Sequence, residues 1–179
     1  MTDLESLITN YAVQVSHPWA TNLAPAQRCW MVVYDPNDER RLRARLQAFE
    51  NATIRAGKGW QLIDITDAPG AWIAQNPYRE RYFEKPGLLN AGAIQDFRRY
   101  LVARVQQAAS TAGDPDSVVA VLGVGALFGF AETSWLLNEI APLVSGRLVV
   151  FFPGEYRANN YRLLGAREGW NYLALAITA

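Results

Sequence analysis

Histidine, cysteine and lysine are nearly missing from this chain. Among 179 residues they are represented by His17, by Cys29, and by Lys58 and Lys85. A single cysteine cannot close an intramolecular disulfide, so a disulfide scaffold is excluded and a cytoplasmic location is expected. One histidine and one cysteine cannot build an ordinary structural zinc site, and we expect neither metal nor cofactor. Ser-His-Asp chemistry would have to use His17, which stands beside Pro18 near the start of the chain. Net charge is missing too: 17 basic residues meet 17 acidic ones. That balance argues against non-specific nucleic-acid binding as the main activity. No long hydrophobic run is present. The longest apolar stretch, Val118 to Ala131, is interrupted by three glycines and falls short of the ~20 residues of a membrane span. The first residues carry Asp3 and Glu5 with no basic region before an apolar run, so no secretory signal is expected.

What remains is an apolar, aromatic chain. Half of its residues are hydrophobic and 12% are aromatic, which favours an ordered core over disorder. The length fits one domain over residues 1–179. Fifteen of the 17 basic residues are arginine, a side chain suited to bidentate and stacked contacts.

The periodicity predicts an alternating α/β order. Arg28–Tyr34 reads as a buried strand. Asp35 and Pro36 then make a helix cap and first turn, followed by Leu42, Leu46, Phe49 and Thr53 at helical spacing, with Gly57 as the stop. Trp60–Ile65 is a second strand. Residues 67–89 read as an irregular, aromatic-rich insertion with a short helix or two. Asn90 caps a strong helix carrying Ile94, Phe97, Leu101, Val105 and Ala108. Ser117–Leu122 is a strand, Ala126–Ile140 a helix with Leu127, Ala131, Trp135 and Ile140 inward, and Arg147–Phe152 a strand. Short strands are expected at Tyr161–Leu164 and Trp170–Ile177. Residues 1–27 are expected to form a helix and loop packed on this body. The whole predicts a three-layer α/β domain, a mostly parallel sheet with helices on both faces and an antiparallel edge.

Open α/β sheets bind ligands outside the carboxyl ends of their strands. Four segments are expected there: residues 34–36, 64–70, 123–129 and 153–157. Gly123 and Gly125 follow a strand, where backbone N–H groups can hold an anion, but no Gly-Lys-Ser/Thr completes a phosphate loop. Glu155 and Arg157 deliver a carboxylate and a guanidinium together, and Asp35 joins them at the neighbouring strand end. Asp35, Asp64, Asp67 and Glu155 could converge on Mg²⁺ only if the fold gathers them; Asp35 and Asp64 are better explained as cap and strand residues. A partner-binding surface is expected at Trp72, Tyr78, Arg79, Arg81 and Tyr82, because aromatics and arginine are enriched in interface cores.

Several segments together resemble the BrxB family of BREX (bacteriophage exclusion) defence systems. They are Gly123-Val-Gly-Ala-Leu, Trp135-Leu-Leu-Asn-Glu-Ile, Leu148-Val-Val-Phe-Phe-Pro-Gly-Glu-Tyr, Tyr161-Arg-Leu-Leu-Gly and Asn171-Tyr, with Val32-Val-Tyr-Asp-Pro upstream. The resemblance spans about residues 28–175 and is most specific at Phe-Phe-Pro-Gly-Glu-Tyr followed by Arg-Leu-Leu-Gly. It implies a small cytoplasmic α/β protein of anti-phage defence. Such a protein works beside a methyltransferase, a large ATPase and a PglZ-like, alkaline-phosphatase-type protein, the last being the implied partner.

Two functions follow. The first is a non-catalytic interaction module that binds another BREX component, with a homodimer as the default oligomer. The second is a nucleotide- or phosphate-binding regulatory domain using Gly123, Gly125, Glu155, Arg157 and Asp35. Nucleic-acid binding through Arg40, Arg41, Arg43 and Arg45 is a weaker third reading, since these spread around a helix among acidic residues. The first is the expectation, for want of a nucleophile–base pair or a Walker lysine.

Overall fold

The structure, a computed structural model, describes residues 3–166 and 170–179. Its centre is a parallel sheet whose strands alternate side chains between two cores. Strand β1 (Cys29–Tyr34) is buried along its whole length. Cys29, Met31 and Val33 face one core, and Trp30, Val32 and Tyr34 face the other. A strand buried on both faces reads as a continuous apolar run, which is why this segment and β3 (Ser117–Leu122) stand out in the sequence. The remaining strands are β2 (Gly59–Asp64), β4 (Arg147–Arg157), β5 (Asn160–Leu163) and β6 (Leu175–Ile177). The parallel order is β2-β3-β4-β1-β6, and β5 pairs antiparallel with the far end of β4.

Helices cover both faces. On one lie α1 (Asp3–Ser16), α2 (Glu39–Ala44) and α3 (Leu46–Arg55), which bury Leu7, Tyr11, Leu42 and Phe49 against Trp30, Val149 and Phe151. On the other lie α4 (Ala68–Gln75), α6 (Ala91–Ala108) and α7 (Thr133–Ile140), whose Trp72, Phe97, Leu101 and Ile140 meet Met31, Val121 and Val150. The chain crosses from β1 to β2 under the first face and returns through β3 to β4 under the second. Reversing both direction and face keeps the hand of the crossovers constant, as right-handed βαβ units require. Caps act where the sequence places them. Asp35 accepts a hydrogen bond from the Asn37 N–H, and Asn90 accepts from Gly92 and Ala93. Gly57 adopts φ +73° just beyond α3.

Four boundaries differ from the sequence reading. The helix expected after Pro36 is divided at Arg45, whose N–H closes a tight turn onto the Leu42 carbonyl. The helix expected from Ala126 begins only at Thr133. Residues Val124–Leu127 form a short 3₁₀ turn, and Gly129 at φ +84° breaks the path. Residues 153–157 are not a loop. They extend β4 into a hairpin, because Gly154 lets the Arg162 carbonyl approach to 2.0 Å from where a Cβ would stand. The last strand is shorter than expected: Trp170 bridges to Tyr161, and only Leu175–Ile177 pairs with β1.

Candidate functional site

The carboxyl edge of the sheet carries an open cleft of about 610 Å³. The turn after β1 supplies Asp35 and Asp38, the β4–β5 hairpin supplies Glu155 and Arg157, and Asp3, Leu4 and Leu7 of α1 close the side. Three of the residues singled out in the sequence, Asp35, Glu155 and Arg157, therefore line one space. Its electrostatics lean acidic: among the described lining residues Asp3, Asp35, Asp38 and Glu155 face one cation, Arg157, with Asp38 also paired to Arg41 outside the lining. That cation is itself 3.5 Å from Glu155 in a largely exposed pair, which contributes little. A field of this sign draws ammonium or guanidinium groups and repels phosphate.

Gly123 and Gly125 border a separate cleft of about 300 Å³ that shares Pro36 and Leu164 with the first. Gly123 has φ +93°, and a Cβ there would stand 2.3 Å from the Thr66 hydroxyl oxygen and 2.7 Å from the Thr66 nitrogen. This glycine allows the turn to pack on the β2 end. The turn closes on itself through Ala126 N–H to the Gly123 carbonyl and Phe128 N–H to the Gly125 carbonyl. Leu127 is buried while Phe128 is exposed. The cation at this cleft, Arg43, is already engaged. Its Nε donates to Glu39 at 2.6 Å, Nη1 to Asp64 at 2.8 Å and Nη2 to the Thr66 hydroxyl at 2.6 Å.

The same bonds set the state of Asp64. Partial burial pushes its carboxyl upward, but the Thr66 hydroxyl and N–H and the Arg43 guanidinium outweigh this and hold it below the usual carboxylate range. Asp67 binds Arg104 at 2.7 Å. Asp35, Asp64, Asp67 and Glu155 are not gathered into one cluster. Among the described residues no group of three or more His, Cys, Asp or Glu is placed to hold a metal ion. Arg41 pairs with Asp38, so of the four arginines considered for nucleic acid, Arg41 and Arg43 are engaged internally. His17 is exposed. Cys29 is buried in β1, and its desolvated thiol is pushed up to about 12, far from nucleophilic range.

The aromatic segment divides into inside and outside. Trp72 is not surface: it is buried, edge-on to Phe97 at 5.6 Å and stacked beneath Tyr82 at 6.1 Å. Its place on α4, facing α6, removes it from any partner surface, and Tyr82 is half-buried as its lid. Tyr78, Arg79 and Arg81 are exposed. Tyr78 precedes, and the two arginines lie on, α5 (Arg79–Glu84), a helix that buries none of its residues. Phe83, an aromatic of the same segment, adds to this patch at 66% exposed, and Leu88, outside the expected set, at 42%. Asp3 and Asp38 were likewise not singled out at the acidic cleft. The only signal for them was charge close to a predicted helix start.

A family model described as BREX protein BrxB matches residues 87–176, half of the chain. This chain belongs to the BrxB family. It is thereby a component of BREX anti-phage defence. The match covers Gly123, Gly125, Glu155 and Arg157, whereas Asp35 and the segment from Trp72 to Tyr82 precede it. No curated protein and no solved structure is significantly similar to the chain. No helix among the described residues is long and apolar enough to cross a membrane.

Proposed function

We propose that this BrxB-family chain is a non-catalytic accessory of its BREX system that acts in the cytoplasm by binding another component, the PglZ-like, alkaline-phosphatase-type protein. The observation that carries the reading is α5. It is a six-residue helix that buries none of its own residues, and with the preceding Tyr78 it displays Tyr78 and Phe83 on either side of Arg79 and Arg81. Among the described residues Tyr82 is the one α5 side chain that packs inward, on Trp72; Tyr78 and Phe83 stay exposed and gain nothing from their placement in the free protein. Aromatics interleaved with arginine are what interface cores use. The buried, high-pKa thiol and the engaged Arg43 lend support by leaving those groups unsuited to nucleophilic or phosphate chemistry.

The test is co-purification of the tagged chain with the PglZ-like protein, using a Tyr78→Ala/Phe83→Ala variant. Both side chains are exposed, so the variant should keep the parent's melting temperature. Loss of capture by the folded variant is the expected result. Capture at the parental level would reject this surface, and absence of capture by the parent would reject this partner.

A further inference from the structure

A third pocket, away from the two clefts described above and from α5, combines apolar walls with polar atoms that have no partner among the described residues. It encloses about 430 Å³, within the size range of small-ligand sites. Ile94, Phe128, Phe130, Leu163 and Trp170 make its walls. Thr133 and Arg98 also line it. Thr133 is 2% exposed, and among the described residues its hydroxyl has no hydrogen-bond partner. The Nε of Arg98 is equally buried and equally unpartnered. The rest of that guanidinium is pinned, with Nη2 2.5 Å from Glu132 and the group 4.9 Å above the Trp135 ring. A third source of unmet donors is α7, which begins at Thr133. Glu132 at its N-cap makes no side-chain capping bond, so the first-turn N–H groups retain the partial positive charge of a helix start.

Buried polar atoms without partners are costly, on the order of 1–3 kcal/mol each in mutational data. Here two of them belong to neighbouring linings of one pocket, beside an uncapped helix start. All three features favour an oxygen acceptor; the Glu132 carboxylate also lines the pocket and already pairs with the guanidinium, so the preference for an anionic acceptor rests on the free Arg98 Nε–H and the helix dipole. The aromatic walls favour an apolar body behind it. We propose that this pocket binds an apolar group bearing a carboxylate, with the oxygens at Arg98 and Thr133 and the body against Phe130 and Trp170. The site is independent of the partner-docking reading above.

The full chain is titrated, with binding followed by calorimetry and by thermal shift. The probes are 3-phenylpropionate, its amide, and an acetylated dipeptide ending in phenylalanine as the free acid or the amide. The acids should bind and the amides should bind at least roughly tenfold more weakly, the range expected for a hydrogen bond to a charged group. Thr133→Val, which keeps the shape and removes the hydroxyl, should weaken the acids by a similar factor while raising the melting temperature of the free protein. Thr133→Ser should restore binding, and it covers the case in which the valine variant does not fold. A threonine with a purely structural role would instead lower the melting temperature when changed to valine. Tighter binding of the dipeptide acid assigns the ligand to a polypeptide, and tighter binding of phenylpropionate to a free organic acid. No saturable binding by any acid, equal binding of acids and amides, or unchanged binding by Thr133→Val would each overturn the proposal.

Discussion

Gly123 lies so close to Thr66 that a methyl group on it would stand 2.3 Å from the Thr66 hydroxyl oxygen and 2.9 Å from its Cα. The glycine also holds φ +93°. Both facts concern the meeting of the β3 end with the β2 end, so the turn is a packing device. Gly123→Ala should cost about 2 kcal/mol in total, about 1–2 kcal/mol of it from the left-handed backbone and the rest from the collision. For a domain of this size that lowers the melting temperature by roughly 4–8 °C, measurable by calorimetry without any ligand.

The Asp64–Arg43 contact makes a pH prediction. The folded carboxyl lies below its ordinary range, so its contribution is fully present above the unfolded value and is lost as pH falls through the folded one. Asp64→Asn should therefore lower the melting temperature at pH 7. The gap to the parent should begin to narrow as the pH falls below the ordinary aspartate value of about 3.9. The effect is small, because the Asp64 side chain is 43% exposed and water screens the pair. A gap that stays constant down to pH 3 would remove the ionic explanation.

Trp72 and its aromatic neighbours should separate sharply on mutation. Trp72→Ala opens a cavity between α4 and α6 and should cost about 3–5 kcal/mol. Tyr78→Ala and Phe83→Ala should each stay within about 0.5 kcal/mol of the parent. Urea denaturation of the three variants decides it.

Tyr11 and Thr53 share a buried hydrogen bond of 2.6 Å between α1 and α3. Thr53 also donates to the Phe49 carbonyl at 2.9 Å, so the tyrosine is the donor to the threonine. Tyr11→Phe leaves that second bond intact and should cost only about 1 kcal/mol, or roughly 2–4 °C. A loss several times larger would mean that the hydroxyl supports more than this one contact.

The β4–β5 hairpin turns through Ala158 and Asn159, both at positive φ, 49° and 62°. That is the geometry of a two-residue type I′ turn, which prefers Asn-Gly. Alanine pays about 1–2 kcal/mol for this conformation. Ala158→Asn combined with Asn159→Gly should raise stability by about 1 kcal/mol, read as a higher melting temperature.

Much of this architecture is written locally. Apolar runs at 29–34 and 118–122 specify strands buried on both faces, because no charged side chain interrupts either core. Asp35 and Asn90 announce their helices, because a short side-chain oxygen satisfies orphan N–H groups wherever it stands. The errors fall where a neighbour outweighs local preference. Residues 153–157 carry Pro and Gly and read as a loop, yet pairing with β5 keeps them extended. Residues 126–132 carry helix formers, yet Gly129 at φ +84° breaks the path, and the helix begins only at Thr133.

Composition alone removed disulfide, zinc-cluster and membrane-span chemistries, and periodicity alone specified alternating α/β layers, because both follow from residue type and spacing. Which residues meet at the strand ends was decided only by tertiary structure. Trp72 and Tyr78 are six positions apart and chemically alike, and one is core while the other is surface. Asp35 and Glu155 are 120 positions apart and line one cleft, whereas Gly123 shares an edge with them but lines another. Such outcomes depend on the register of β1 against β4 and of β2 against β3, a sum of long-range contacts that no local window of sequence contains.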